Sequence, residues 1–346
     1  MQLKFPDMFG PWDNHVIRSA IAEDFHRAGA RPPVLKMRLV EGDLPPNDGH
    51  IERSGDTYIV TLQRQLKRWR RRVPPKLGAA LYWLSHCSPD VRSITVNLSD
   101  GDSFSLADFA YSVRTDWQTA LPDPHYFQNL GFAKELRTGS NAPAWHDRSD
   151  MLVWRGGLNG RGWASFDPND RFDTSVIQRL RLVQIGRSID NVDIAFNRMP
   201  AGQREYIPFA RKEGLIRPPI AENSWTQSKF AIDIDGYANT WSNLLVRMLY
   251  GCCVLKIDSH FGYRQWYYPQ LRPYEHYIPV SADMRDFAQQ LDWARSHPKE
   301  AAAIARAGQE FAQSLTFASQ TRRAAEIIEG GPLPRPGSSR PQPLVV

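Results

Sequence analysis

The chain has 346 residues, 42% of them hydrophobic and 23% charged, which is ordinary for a globular protein and excludes a wholly disordered chain or a coiled coil. At roughly 100–200 residues per domain, this length predicts two domains or one large one. The net charge of +6 suits a protein that handles anionic ligands or lies near anionic lipid, and it is too small to indicate nucleic acid by itself.

The first half of the chain is predicted to mix helices and strands. In chain order the predicted elements are a helix over 16–27, a strand over 35–40, a loop over 42–50, a segment over 58–62 that is a strand or leads into the next helix, a helix over 63–86 interrupted at Pro74 and Pro75, strands over 93–98 and 109–114, and a proline-stiffened loop over 121–127.

A run of basic residues lies at the start of the predicted helix over 63–86. Its members are Arg64, Lys67, Arg68, Arg70, Arg71 and Arg72. Such runs are usually solvated helix faces, and the alternatives are contact with an anionic membrane surface or with nucleic acid.

The second half alternates strands with helices more regularly. The predicted elements are a linker over 139–143, a strand over 151–154 that enters the glycine-rich sequence RGGLNGRG, a helix over 174–185, a strand over 191–195, a helix over 209–214, a strand over 230–234, a helix over 243–249, a strand over 252–257, an aromatic segment over 267–280, and helices over 284–296, 298–314 and 317–329. We therefore predict two α/β units with mostly parallel sheets and a cleft between them, over residues 1–145 and 146–330, and a disordered tail over 331–346.

The strand, loop and helix over 230–249 are the most informative local pattern. Asp233 lies near the end of the strand, Asp235 and Gly236 follow it, and Asn239 and Thr240 precede the helix, which Thr240 or Ser242 would cap. Helix N-termini bind phosphates, so this is a candidate phosphate site, although an ordinary strand-to-helix connection has the same spacing. Asp233 and Asp235 also have the spacing at which two carboxylates can share a metal ion, or they accept hydrogen bonds from nearby loops.

Two further patterns carry candidate residues. Arg155 and Arg161 flank the glycines at 156 and 157, and arginine with glycine is a phosphate-binding combination, or else a flexible turn with surface arginines. Asp100 and Asp102 follow the strand over 93–98, where a carboxylate is a candidate general base or a turn cap.

Other catalytic patterns are absent from the sequence. There is no G-x-S-x-G nucleophile sequence, and His125, His146, His260 and His276 stand singly. Cys87, Cys252 and Cys253 have neither zinc-ligand spacing nor the pattern of a disulfide framework, which predicts a reducing compartment. With no secretory signal and no apolar run of about 18 residues, we expect a cytoplasmic protein without a transmembrane helix.

Three segments together resemble glycosyltransferase family 90, which contains protein O-glucosyltransferases, fungal capsule-associated xylosyltransferases and bacterial lipopolysaccharide-core transferases. The longest likeness is KFAIDIDGYANTWSNLL with GCCVLKIDSHFGYRQWYYPQLRPYEHYIPV, within residues 229–280. Its last part fits the family string W-Y-x-x-L-x-P-W-x-H-Y-I-P-V at Tyr268, Leu271, Pro273, His276, Tyr277 and Pro279. Trp154, Arg155 and Gly156 resemble the family's F/W-R-G, and the segment from Asn97 to Asp100 is similar to its N-x-x-D.

The resemblance implies a GT-B fold, in which two Rossmann-like domains face each other across a cleft. It implies an inverting transfer of glucose or xylose from a UDP-sugar, without a metal or other cofactor, to a lipopolysaccharide-core or capsule glycan at the inner membrane face. Asp100 would be the general base, with Asp102, Asp123 and His125 on the acceptor side. The residues implied for the donor are Arg155, Gly156, Arg161, Asp235, Gly236, Asn239, Thr240, Trp241, Ser242 and Arg247.

The chain departs from the family pattern at Leu244, where members often carry a phosphate-facing arginine. Arg247 lies one helical turn further on and is a candidate substitute. The departure also motivates a second hypothesis, a non-catalytic relative that binds a sugar nucleotide or glycan. A nucleic-acid-binding protein is a third hypothesis, which rests on the basic run alone; the resemblance implies no nucleic-acid partner.

Overall fold

The computed structural model describes residues 11–64, 69–199 and 201–335. The helices are α1 (Pro11–Arg27), α2 (Trp69–Ser85), α3 (Pro124–Gln128), α4 (Ala133–Ser140), α5 (Gln178–Gly186), α6 (Ile207–Lys212), α7 (Asn243–Leu249), α8 (Phe287–Ser296), α9 (Pro298–Ser314) and α10 (Phe317–Glu329). The strands are β1 (Val34–Val40), β2 (Asp48–Ser54), β3 (Thr57–Gln63), β4 (Ser93–Asn97), β5 (Phe109–Ala110), β6 (Thr119–Ala120), β7 (Leu152–Gly157), β8 (Val192–Arg198), β9 (Phe230–Asp233), β10 (Cys253–Ile257) and β11 (Ile278–Val280). No helix among these residues is long and apolar enough to span a bilayer.

The chain forms two compact units whose boundaries differ from the predicted ones. Unit 1 comprises Met1–Leu130, Arg264–Trp266 and Phe317–Val346, and unit 2 comprises Gly131–Tyr263 and Tyr267–Thr316. The division at 145 is therefore wrong by about 15 residues, and α10 belongs to unit 1 rather than to the second domain. The cause is aromatic packing: the ring of Phe317 lies 5.6 Å from that of Tyr82 and 6.0 Å from that of Trp83.

Unit 1 contains a six-stranded mixed sheet in the order β1-β3-β2-β4-β5-β6. Strand β2 is antiparallel to both of its neighbours, while the other pairs are parallel. Three of the five strand pairs are parallel, as expected, but the antiparallel β2 in the middle makes this a mixed sheet rather than a Rossmann-like one. The predicted loop over 42–50 runs into β2, whose sequence DGHIERS has one large apolar residue, the fully buried Ile51, and so gives no strand periodicity.

Helix α2 continues through Pro74 and Pro75, where an interruption is predicted. Proline removes a backbone N–H and normally breaks a helix. Here the next two turns bury Leu77, Leu81 and Leu84 completely, and this packing holds the helix together. Of the basic run, Lys67 and Arg68 lie outside the described residues. The same is true of tail residues 336–346, while Arg335 forms an ion pair with Asp108 at 2.7 Å.

In the described part of unit 2 all strand pairs are parallel, as predicted for its alternating pattern. Strand β10 pairs with β9 and β11, and β7 pairs with β8. The two groups meet where the N–H of Ser149 donates to the carbonyl of Gln227 (2.8 Å), and a parallel bridge joins Phe196 to Ile216 on the far side of β8. With the segment at 216 as third strand, the spatial order is 3-2-1-4-5-6, that of a doubly wound nucleotide-binding sheet.

The core of unit 2 follows from its sequence. All residues of β9 and β10 are buried, which is typical of central parallel strands with helices on both faces. The strand order reverses between β7 and β9, so the helices that follow these strands pack on opposite faces. A crevice opens outside the carboxyl ends of strands at such a point.

Candidate functional site

A cavity of about 490 Å³ lies at this reversal point of unit 2. It is formed by the ends of β7 and β8, the start of α5 and the loop after β9. The lining residues are Trp154, Arg155, Gly156, Gly157, Arg179, Asn197, Arg198, Thr240 and Asn243. Among the described residues, the lining thus contains three arginines and no carboxylate, which favours an anionic ligand.

Arg179 connects the two strands on either side of the reversal point. Its Nε donates to the carbonyl of Asp235 (2.8 Å), and its Nη1 donates to the carbonyl of Gly157 (3.3 Å) and to Asn159. The guanidinium also lies 5.7 Å from the Trp154 ring centroid. Burial lowers the pKa of Arg179 to about 10, so it remains a cation at neutral pH. A buried cation held by carbonyl dipoles keeps its full charge available to a ligand.

The glycines of this region permit close packing around Arg179. A Cβ on Gly236 would lie 3.2 Å from Nη2 of Arg179, and one on Gly156 would lie 2.3 Å from the indole of Trp154. Both glycines are predicted donor-site residues. Gly156 lines the cavity, and Gly236 lets the loop after β9 approach the guanidinium.

Asp233 fixes the start of α7. Its Oδ1 accepts hydrogen bonds from Thr240 Oγ1 (2.5 Å) and Asn243 Nδ2 (3.0 Å), both of which line the cavity. Ser242 is the N-cap of α7, but its side chain makes no capping hydrogen bond, and Thr240 bonds to Asp233 instead of capping. Asp233 is therefore a structural acceptor at the strand end, one of the two alternatives left open by the sequence.

Asp235 and Asn239 lie behind the cavity. Asn239 Nδ2 donates to Oδ1 of Asp235 (3.1 Å) and to the carbonyl of Tyr263 (3.1 Å). Burial raises the pKa of Asp235, and the positive charge of Lys256 on β10 opposes that rise. Lys256 is itself buried, with its Nζ 4.5 Å from the ring centroid of Tyr268. This group stiffens the loop and does not line the cavity; the described residues also contain no group of three or more His, Cys, Asp or Glu placed to hold a metal ion.

Two of the predicted phosphate-binding arginines form ion pairs with carboxylates of the protein. Arg155 Nη2 pairs with Asp193 Oδ2 at 2.6 Å, and its Nη1 donates to the Asp193 carbonyl. Arg247 pairs with Glu222, and its guanidinium lies 3.8 Å from the ring centroid of Trp225. Arg247 is not among the lining residues of the cavity, because Glu222 and Trp225 hold its guanidinium; its proposed substitution for the arginine missing at Leu244 stays a prediction.

Arg161 and Trp241, the remaining predicted donor residues, are not among the residues that line the cavity. The guanidinium of Arg161 lies 5.6 Å from the ring centroid of Phe261. Trp241 is half-buried in the loop before α7. Their predicted contact with a donor remains a prediction.

Asp100 lies in unit 1, in the turn after β4. Its Oδ1 accepts a hydrogen bond from Lys76 Nζ at 2.6 Å; the lysine side chain is 8% exposed and the aspartate 33%. The turn is tightly built: Gly101 has a φ of +94°, and a Cβ there would lie 2.6 Å from the carbonyl oxygen of Ser112. Asp100 is thus a solvent-accessible carboxylate on a fixed turn, as a general base requires.

The predicted acceptor-side residues have different surroundings. Asp123 is fully buried, caps α3 by accepting from the N–H of Tyr126 (2.9 Å), and accepts from Gln265 (3.1 Å). Burial raises its pKa to about 7. An acceptor cannot reach this side chain, so its predicted role is wrong. His125 retains exposure; partial desolvation lowers its pKa, and the charge of Lys76 lowers it further while Asp100 raises it. Asp102 is half-buried beside Ser103 (3.5 Å).

Sequence reasoning missed Arg179, Arg198 and Lys76. Arg179 lies in a segment recognised only by its helical periodicity, and Arg198 is the last residue of β8, a strand end that parallel topology places beside the cavity. Lys76 follows two prolines in a helix predicted to break there. Arg198 could have been identified from the sequence, because it lies just after a predicted parallel strand and the carboxyl ends of parallel strands meet at one edge of the sheet.

Comparison with known proteins places these observations in a family. Residues 130–319 match the model of Glycosyl transferase family 90, a range that is nearly coextensive with unit 2. The turn that carries Asp100 lies outside the matched residues.

Several curated proteins are similar to part of the chain. Protein O-glucosyltransferase 2 of Danio rerio is 28% identical over 180 residues, 51% of this chain and 31% of the relative. Protein O-glucosyltransferase 3 of Homo sapiens is 26% identical over 179 residues, 51% of this chain and 30% of the relative. Uncharacterized protein 179R of Invertebrate iridescent virus 6 is 28% identical over 193 residues, 50% of this chain and 16% of the relative. The chain thus spans less than a third of the length of each of these relatives.

Among solved structures, sucrose-phosphate synthase from Thermosynechococcus elongatus superposes with a TM-score of 0.40 at 13% identity, covering 93% of both chains. Anabaena Alr3699/HepE in complex with UDP and glucose gives 0.34 at 10% identity, covering 57% of this chain and 52% of that one. Both superpositions are poor, so the fold assignment rests on the strand order given above.

Proposed function

The chain belongs to glycosyl transferase family 90, and from that premise we propose that it transfers a sugar from a nucleotide-sugar donor to a hydroxyl group of a glycan. The nucleotide proposed is UDP, and the sugar is of the glucose or xylose type. The relatives named as protein O-glucosyltransferases make UDP-glucose the first donor to test.

One observation carries the donor part of this proposal. The cavity at the reversal point of the unit 2 sheet is lined by Arg155, Arg179 and Arg198, with no carboxylate among its described lining residues. The two phosphates of a nucleotide sugar are negatively charged and would compensate the positive charge of these arginines. The doubly wound strand order supports the same location, because ligands of such sheets bind at this point.

Within the cavity, we assign different tasks to the arginines. Arg198 is exposed and forms no ion pair with a carboxylate among the described residues, so its guanidinium is available to a phosphate. Arg179 donates hydrogen bonds to backbone carbonyl groups, and its positive charge acts on the ligand from the buried side of the cavity. Arg155 is paired with Asp193 and contributes mainly to the structure of the strand pair.

The reaction proposed is a one-step displacement. The acceptor oxygen forms a bond to the anomeric carbon as the bond from that carbon to the diphosphate oxygen breaks, and the configuration inverts. Asp100 takes the proton of the acceptor hydroxyl, and the nucleoside diphosphate leaves with the bonding electrons. Preorganised positive charge at the leaving group is typically worth about 3–4 kcal/mol per donor, and general-base assistance about 10²–10⁴-fold in rate.

For the acceptor we propose a glycan of the lipopolysaccharide-core or capsule type, reached at the cytoplasmic face of the inner membrane. The net charge of +6 supports an anionic acceptor. No metal takes part in the proposed reaction.

A second candidate function is donor binding without transfer. Leu244 is fully buried at the position where the family resemblance implies an arginine, and Arg247 is paired with Glu222. A site with fewer phosphate contacts can bind a nucleotide sugar and leave it intact.

The test is thermal unfolding with UDP-glucose for the wild type, Arg198→Met and Arg187→Met. A ligand at 100 times its Kd stabilises a protein by about 2.7 kcal/mol. We expect Arg198→Met to weaken UDP-glucose binding about 10- to 100-fold, since a hydrogen bond to a charged group is worth about 1.5–3 kcal/mol. Arg187 pairs with Glu213 outside the cavity lining, so Arg187→Met should bind UDP-glucose like the wild type.

The outcomes separate the two candidate functions. If UDP-glucose binds and UDP is released, and Asp100→Asn binds but releases none, the transferase stands. Binding without release in the wild type favours the second candidate. If Arg198→Met binds as tightly as the wild type, the cavity is not the donor site.

A further inference from the structure

Two exposed aromatic side chains lie on neighbouring loops of unit 2. Trp163, on the loop between β7 and α5, is 50% exposed, and Tyr237, on the loop between β9 and α7, is 42% exposed. Among the described residues, neither ring contacts another ring or a cation, and the hydroxyl of Tyr237 makes no hydrogen bond. We call these two side chains the aromatic pair. Aromatic rings without such partners in the protein are available to a ligand.

The indole ring of Trp163 is fixed in place. The N–H of Trp163 donates to the carbonyl of Ser175 (3.0 Å), and the N–H of Ile177 donates to the carbonyl of Trp163 (3.0 Å). Its Nε1 donates to Oγ of Ser175 (2.7 Å), which in turn donates to Asp173 (2.7 Å). The ring is therefore held by its edge while half of its surface faces solvent. A side chain that is ordered in advance loses little conformational entropy when a ligand packs on it.

The loops that carry the aromatic pair adjoin each other at the cavity of unit 2. Nη1 of Arg179 donates to Asn159 of the first loop, and its Nε donates to the carbonyl of Asp235 of the second (2.8 Å). A Cβ on Gly160 would lie 3.5 Å from the carbonyl oxygen of Gly236, so the two loops are closely packed. Arg179 lines the cavity, whereas the aromatic pair does not. The two exposed rings are therefore carried by loops that border the proposed donor site.

The position and chemistry of the aromatic pair favour a sugar as its ligand. A pyranose ring presents C–H groups on its faces and hydroxyl groups around its rim, so it packs on an aromatic face and forms hydrogen bonds at its edge. The flat indole of Trp163 supplies such a face, and the phenol of Tyr237 supplies both a face and a hydrogen-bonding hydroxyl. In the proposed reaction the acceptor has to lie against the donor, and the aromatic pair borders the donor site without lining it.

We propose that the aromatic pair binds a pyranose residue of the acceptor glycan. This inference rests on the proposed transfer, because the donor assigned to the cavity is what places an acceptor beside it. The donor sugar is the other pyranose of the reaction, and it belongs with its diphosphate inside the cavity. The aromatic pair thus favours an acceptor that presents a sugar ring over one that presents a hydroxyl group alone, such as a serine side chain of a peptide.

The experiment is isothermal titration calorimetry of the full chain with a deacylated lipopolysaccharide-core oligosaccharide and with a capsular oligosaccharide. The variants are Trp163→Ala, Tyr237→Ala and, as a control, Tyr274→Ala. Tyr274 is 50% exposed, packs on Trp293 and lies in the segment before β11, at the amino edge of the sheet. We expect Trp163→Ala to bind the oligosaccharide about tenfold more weakly and Tyr237→Ala about threefold, with the control like the wild type. All three variants should bind UDP-glucose like the wild type.

Trp163→Phe retains a flat ring and should recover most of the affinity lost in Trp163→Ala. Failure of the wild type to bind either oligosaccharide, or equal binding by Trp163→Ala, would overturn the proposal. Weaker binding of UDP-glucose by Trp163→Ala with unchanged binding of UDP would also overturn it, because the ring would then belong to the donor sugar. If the wild type binds an oligosaccharide through Trp163 but does not bind UDP-glucose, the proposed transfer fails and the sugar site remains.

Discussion

The two units balance the charges of their candidate sites in opposite ways. In unit 2, Arg179 is held by carbonyl oxygens, and the cavity beside it has no carboxylate among its described lining residues. In unit 1, the partly exposed carboxylate of Asp100 is paired with the ammonium of Lys76. A dipole can hold a cation without cancelling its charge, whereas an ion pair is nearly neutral. This difference supports the proposal that unit 2 binds the anionic donor and that the turn carrying Asp100 in unit 1 acts on a neutral hydroxyl group.

The largest expected effect comes from removing the buried cation of unit 2. Arg179→Met leaves the carbonyl groups of Gly157, Ile234 and Asp235 without their donor, and we expect a loss of about 4 kcal/mol in the free energy of unfolding. Urea unfolding measures it, with the surface variant Arg187→Met as control, expected within about 0.5 kcal/mol of the wild type. An equal effect of the two substitutions would remove the distinction between the units.

The next effect is a pH dependence that arises from Asp123 of unit 1. Burial raises the pKa of Asp123 to about 7, above its unfolded value of 3.8, so the folded protein holds an extra proton between these values. Stability from this group is therefore present at low pH and lost as the pH rises, by up to about 1.4 kcal/mol per pH unit.

The measurement is the difference in unfolding free energy between the wild type and Asp123→Asn from pH 4.5 to 6.5. Asn cannot titrate, so the wild type should lose about 2–3 kcal/mol relative to the variant over this range. Asp235 of unit 2 is present in both proteins and cancels in the difference. A difference that is flat with pH would show that Asp123 is ionised throughout.

The smallest of these effects concerns the turn that carries Asp100. Gly101→Ala places a Cβ against Ser112 at a φ of +94°, and we expect a loss of about 2 kcal/mol, with slower UDP release. Gly29→Ala has the backbone strain, at a φ of +70°, but no atom within 4 Å of the added Cβ. If both variants lose the same stability, the contact with Ser112 adds nothing and the turn is less rigid than described.

The sequence was more informative for unit 2 than for unit 1, for reasons visible in single elements. Helices α7 and α9 begin and end at the predicted residues, because strong periodicity and Pro298 mark them. Strand β2 was missed since it has one buried large apolar residue and gains its stability from neighbours on both sides. Hydrophobic periodicity indicates that one face of a strand is buried. It gives no signal for a strand that is defined mainly by hydrogen bonds to its neighbours.

The candidate site was predictable as a region but not residue by residue. The glycine-rich sequence after β7 and the loop after β9 do meet at one cavity. Which arginine faces that cavity depends on partners distant in sequence, such as Asp193 for Arg155 and Glu222 for Arg247. No local spacing encodes such pairings, so the sequence does not show that Arg155 and Arg247, two of the three arginines predicted to bind the donor, form ion pairs with carboxylates.

The return of α10 to unit 1 has a consequence for synthesis on the ribosome. Tyr82, Trp83 and Phe127 emerge early, yet Phe317, which packs on all three, is translated after the whole of unit 2. Unit 2 is continuous except for Arg264–Trp266 and can complete its sheet first. Until the last helix arrives, the nascent chain carries an exposed aromatic surface, the kind of surface that chaperones bind.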